Sequence, residues 1–268
     1  MKDNRDKNKE KNKNQHKNRH KKSLMILVSV IFWLVIWQIV SEKIGQEILL
    51  VSPVSAIKRL LELSQESFFW ISIKNSFIRV SMGFLLGLIL GSIFAVIATV
   101  KNSFRILLEP LMQTIQAVPV VSFIILCLIW VSSENLSVLI SFMMCLPIIY
   151  RNILIGIRGI PKELEEMAKV FRVKKIKKIR YIYLSELSPY IKSACNIAIG
   201  LCWKSGMAAE VIAMPRNSIG ENLYQSKVYL NTADLFAWTI TVVILSILFK
   251  TVVIKLLDKL LNRLEISR

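Results

Sequence analysis

Apolar and polar positions fall in long blocks along this chain. Nearly unbroken apolar stretches occupy 24–41, 76–100, 106–131, 135–155, 190–213 and 235–254. A helix of roughly 20 such residues crosses about 30 Å of hydrocarbon, so the pattern predicts an all-α, polytopic membrane protein with about six transmembrane helices. Between the first two spans, Ser52-Pro53 marks the start of a short amphipathic helix through Leu60, Leu61 and Leu63. The second span carries Gly83, Gly87 and Gly91, with Ala95 and Thr99 continuing the spacing of four. Small residues along one ridge let two membrane helices approach closely, which favours helix packing over a solute-lining role. Pro110 and Pro119 interrupt the third span, and broken backbone at membrane depth is tolerated only against protein or water.

One block breaks the rhythm. Residues 156–189 form a charged island between two apolar runs. Pro161 suits a first helical turn. Glu163, Glu165 and Glu166 follow early, and Lys169 and Arg172 come late, as the helix dipole prefers. Leu164, Met167, Ala168 and Phe171 make one apolar stripe. A second short helix is expected next, with Val173, Ile176 and Ile179 on one side and lysines around the rest. This helix pair on a membrane surface reads as a docking element.

Composition agrees with the membrane class: 54% hydrophobic, with mean hydropathy +0.51. The net charge of +18 is concentrated. Residues 1–22 hold ten bases and three acids, 151–192 eleven and four, and 250–268 five and two. The low-complexity segment 1–23 reads as a basic, disordered tail beside the membrane in preference to a nucleic-acid-binding arm; the membrane-embedded body is 24–268. Placing the bases on the cytoplasmic side puts both termini there with 101–105 and 151–192. Loops 42–75, 132–135 and 214–234, nearly neutral together, then lie outside.

Little chemistry is available to the chain alone. Its histidines, His16 and His20, are confined to the tail, and Cys127, Cys145, Cys195 and Cys202 all sit in apolar runs. Metal, disulfide and histidine-based catalytic readings are therefore set aside, and no phosphate-binding glycine loop is present. No enzymatic site and no cofactor are expected in this chain, and a role in transport that draws its energy from another polypeptide fits the residues. An ion-coupled secondary carrier and a membrane-anchored binder of nucleic acid or lipid headgroups through the basic tail are the alternatives.

The island resembles the cytoplasmic loop of permease subunits of bacterial binding-protein-dependent ABC importers. That loop carries Glu-Ala-Ala, a Gly six residues after the Glu, and a later apolar-Leu-Pro. Glu166, Ala168 and Leu184 match; Met167, Arg172 and Ser185 stand where the family has Ala, Gly and Pro. Pro147, Ser52-Pro53-Val-Ser, Leu107-Leu-Glu-Pro110 and the run from Gly200 to Glu210 (GLCWKSGMAAE) look like the nitrate/sulfonate/taurine-type subfamily. The resemblance covers roughly residues 50–258.

It implies a multi-pass inner-membrane permease paired with a second, usually identical, copy and surrounded by lipid. Two cytoplasmic ATPase subunits that bind ATP and magnesium, and an extracytoplasmic solute-binding protein, complete the importer; nucleic acid is not a partner. The loop of Glu166, Met167, Ala168, Phe171, Arg172 and Leu184 would couple to the ATPase. A small anion such as a sulfonate, taurine or nitrate would be the solute. Candidates for its pathway are Pro119, Trp203, Lys204 and Glu210. A cation at the depth of Lys204 costs about 2.5–3.5 kcal/mol, offset by an ion pair with Glu109 or a second copy, by snorkelling toward the outer interface, or by facing the solute. Glu210 lies roughly 120° round the helix from it and does not share its face.

Overall fold

The computed structural model describes residue 25 and residues 28–266, with the side chains at 262 and 264–266 excepted. The basic segment 1–23 and the start of the first span lie outside the described residues. All regular structure among the described residues is helical. Helix α1 covers 28–44, and α2 is Pro53–Leu63. Ser52 caps α2 as its sequence signals: its hydroxyl accepts the Ser55 N–H at 3.1 Å, and Pro53 takes the first turn.

The next helix, α3, is Ser67–Val100. Its 34 residues span about 51 Å at 1.5 Å per residue, so it starts nine residues before the apolar stretch read from the sequence. Aromatic packing holds that extension: the Phe69 ring lies 4.9 Å from Trp238. The expected third span is two helices, α4 (Asn102–Ala117) and α5 (Val120–Cys127), bent by 104°. Only one of its prolines causes the break. Pro110 sits inside α4. Pro119 holds Val118 in extended backbone at ψ 131°, the conformation a following proline imposes.

Helix α6 is Ser133–Arg158, α7 is Lys162–Val170 and α8 is Lys175–Lys178. A π turn, Ile179–Tyr183, feeds straight into α9, Leu184–Ala213, so the end of the charged island is already part of the helix that holds the expected fifth span. Helices α10 (Ile219–Val228) and α11 (Thr232–Ile266) follow. Helices α3, α6 and α11 are each long and apolar enough to cross a membrane, and α4 with α5 passes only as the bent pair. Helix α9 has 30 residues but carries Lys192, Lys204 and Glu210 within its length.

The core is built around α6, which runs between α3 and α9. The glycine ridge of α3 explains the closeness. A Cβ at Gly83 would stand 2.5 Å from the Val138 carbonyl oxygen, one at Gly87 2.5 Å from Cys145 Cβ, and one at Gly91 3.0 Å from Ile149 Cβ. Backbone meets backbone along three turns, where dispersion replaces the missing hydrophobic drive. Trp203, Tyr150, Phe84 and Ile199 fill the space beside this seam, and all four cysteines are buried and free.

Connections that the charge pattern assigns to one side of the membrane meet one another. Arg59 of α2 pairs with Asp234 at the start of α11, and Asn75 donates to the Asn217 carbonyl at 3.0 Å. At the opposite end Lys192 of α9 lies 2.6 Å from Asp258 of α11.

Candidate functional site

The charged island folds as a helix pair whose rigidity comes from its turn. Helix α7 ends in two reinforcing hydrogen bonds: Arg172 N–H to the Lys169 carbonyl at 3.1 Å and Val173 N–H to the Ala168 carbonyl at 2.9 Å. This is the Schellman closure, which requires a left-handed residue at its centre. Arg172 occupies it at φ +47°. Ala168, directly under the closure, is buried, whereas Glu166 points outward.

A polar triangle fastens α7 to the π turn. The Tyr183 hydroxyl donates to Glu165, and Lys178 approaches the same carboxylate at 3.7 Å. The Tyr183 bond, aided by Lys178 and Lys169, holds the Glu165 carboxyl below the usual glutamate range, and the same bond pushes the Tyr183 phenol up.

The tip is apolar and uncovered. Val170 is 77%, Phe171 75% and Ile176 80% exposed, and Met167 47%. The expected stripe is thus split: Ala168 faces inward and Leu164 is half-buried, while Met167 and Phe171 project. Leu184 is half-buried where α9 begins. Apolar side chains held on a closed turn and ringed by lysines are the makings of a protein interface.

The candidates at the other end of α9 separate by face. Trp203 and Glu210 are interior, at 1% and 0% exposure, whereas Lys204 is exposed. Among the described residues no carboxylate pairs with Lys204; Glu109, a partner suggested by sequence, lies 3.5 Å from Arg151 instead. Pro119 stands at the bend between α4 and α5. These four residues therefore do not form one cluster.

Glu210 belongs to a network that sequence reading missed. Ser76 donates to its carboxylate at 2.5 Å and accepts the Ile219 N–H at 2.9 Å, while the Gly220 N–H reaches Glu210 at 3.3 Å. Arg79 of α3 lies 3.6 Å from Glu210 and also pairs with Glu134 at the start of α6. The carboxylate thus faces the N-terminus of α10, where the helix dipole favours an anion. A Cβ at Gly220 would collide with Glu210 Cβ, so this approach needs glycine. The signal available was Arg79 itself, a cation within an apolar run.

Residues 83–265 match the family described as the inner membrane component of binding-protein-dependent transport systems. The chain belongs to that family. It is a permease subunit of an ABC importer, a multi-pass protein of the bacterial inner membrane. A putative aliphatic sulfonates transport permease protein of Bacillus subtilis is 26% identical over 219 residues, covering 81% of this permease and 76% of its relative. The bicarbonate transport system permease protein of Synechococcus elongatus is 26% identical over 54% of this permease and 52% of its own length. A nitrate import permease protein of Leptolyngbya laminosa is 26% identical over 56% and 53%. The match takes in the permease's whole charged island, all of α9 and the glycine ridge.

Proposed function

We propose that this permease crosses the membrane six times, with both termini in the cytoplasm, and forms one half of a translocation pathway for a small inorganic or organic anion. Two copies form the pathway. Separate ATPase subunits bind and hydrolyse ATP, and an extracytoplasmic binding protein delivers the solute. Closure of the ATPases moves the α7–α8 tips together and opens the membrane helices outward. The anion class follows the relatives, which are permeases for sulfonates, bicarbonate and nitrate.

The observation that carries this reading is the uncovered apolar tip of Met167, Val170, Phe171 and Ile176 on a closed, charge-ringed turn. Such a tip has no use in an ion-coupled carrier, and family membership lends no support to a binder working through its basic tail. Glu166 is exposed beside the tip, where a surface charge is ordinarily worth ~1 kcal/mol or less. If it meets an ATPase groove, Glu166→Lys abolishes ATP-dependent uptake in proteoliposomes while the permease still inserts at normal abundance. Uptake at the wild-type rate would remove the tip from coupling.

A further inference from the structure

Between α4 and α6, at the membrane end from which α7 emerges, lies an open cavity of about 520 Å³. Its walls carry Arg105, Glu109 and Gln113 from α4, and Leu154 and Arg158 from α6. The charges do not cancel. Glu109 follows Arg105 by four residues, the spacing at which helical side chains meet. It turns away to Arg151 of α6 at 3.5 Å, and takes a long hydrogen bond from Gln113 at 3.4 Å. Neither Arg105 nor Arg158 has a carboxylate partner among the described residues.

A second observation points the same way. The Tyr150 side chain, one turn before Leu154, is fully buried, and its hydroxyl has no hydrogen-bond partner among the described residues. Leu154, which lines the cavity, follows Tyr150 by four residues, so the two share a face of α6. Buried hydroxyls are normally satisfied, and two unpaired guanidinium groups on one cavity repel each other. An oxyanion would relieve both. Guanidinium forks match phosphate-like oxygens bidentately, and the phenol supplies one more donor.

We propose that this cavity is an oxyanion site, selective for a phosphate-class group held by Arg105 and Arg158 with Tyr150 as a third donor. An anionic lipid headgroup and a free inorganic anion share that chemistry. Basic pockets between membrane helices are suited to the first, and the cavity's open side admits the second. The assignment does not depend on the coupling role of α7.

The test uses the full-length permease purified in detergent. Native mass spectrometry in equimolar phosphatidylglycerol and phosphatidylcholine measures lipid retention; melting with and without millimolar inorganic phosphate measures the free anion. Expected is preferential phosphatidylglycerol retention, lowered about tenfold or more in Arg105→Ala/Arg158→Ala and unchanged in Lys175→Ala/Lys177→Ala, which removes equal charge at the same membrane end. A phosphate-induced rise in melting temperature, lost in the arginine variant and without lipid preference, would assign the site to a free anion. Tyr150→Phe should weaken whichever ligand binds by about tenfold, the worth of one charge-assisted hydrogen bond, without changing melting in ligand-free detergent. Equal binding by wild type and arginine variant, or equal loss in the lysine control, overturns the site. If the arginine variant cannot be purified, Tyr150→Phe decides, and unchanged affinity there also overturns it.

Discussion

Arg172 is one of four non-glycine residues among the described residues with left-handed backbone, beside Met214, Asn217 and Leu230. Left-handed φ in a residue with a Cβ costs roughly 1–2 kcal/mol, and this permease places an arginine where its family carries glycine. The Schellman bonds to Lys169 and Ala168 hold it there. Arg172→Gly should therefore tighten the α7–α8 turn by about 1 kcal/mol, seen as slower limited proteolysis of the loop with ATP-dependent uptake retained. Faster cleavage would mean that the arginine side chain, not the turn, stabilises the pair. That a turn falls at this position was legible from the loop pattern; that the arginine adopts glycine's conformation was not, because residue type disfavours it. Arg79 was missed for another reason. One cation in a long apolar run hardly alters the average, and its partners Glu134 and Glu210 lie 55 and 131 positions away in the chain.

Helix α9 shows how one element divides its faces. Trp203 and Glu210 turn inward, the first into the seam with Phe77 and Phe249 and the second to Ser76 and Arg79. Lys204 turns out, away from every carboxylate among the described residues. An unpaired cation on a membrane helix needs another copy, a headgroup or a solute to offset its cost. If the solute does so, Lys204→Met loses uptake while assembly with the ATPase and basal ATP hydrolysis persist. Lost assembly would assign the lysine to an ion pair across the dimer. The helices themselves were readable because a membrane demands long apolar runs and a glycine every fourth residue announces close packing. The bend at Pro119 was not. In sequence Pro110 and Pro119 look alike, and only the backbone shows that α4 absorbs one while the chain turns 104° at the other.

Across the molecule, the charge pattern and the contacts agree on which loops share a membrane face. Loops 42–75 and 214–234 meet through Arg59–Asp234 and Asn75–Asn217, far from α7 in the fold's order of helices. The inside-positive assignment then puts Tyr229, 78% exposed, outside and Lys175 inside. Because all four native cysteines are buried, background labelling should be low. A cysteine at Tyr229 should react with an impermeant thiol reagent in intact cells, and one at Lys175 only after the membrane is opened. Reversed labelling would invert the topology.

On the function proposed above, the apolar tip of α7 and α8 grips a cytoplasmic ATPase. Phe171 is its most exposed aromatic side chain, and an aromatic anchor buried at an interface centre contributes about 2 kcal/mol or more, roughly thirtyfold in affinity. The direct measurement is the affinity of the partner ATPase for the permease in nanodiscs, wild type against Phe171→Ala. Binding weakened by about thirtyfold or more, with the permease folded and its melting unchanged, is the predicted result. An unchanged affinity would contradict the claim, because a side chain this exposed in the free permease would then remain uncovered in the assembled importer.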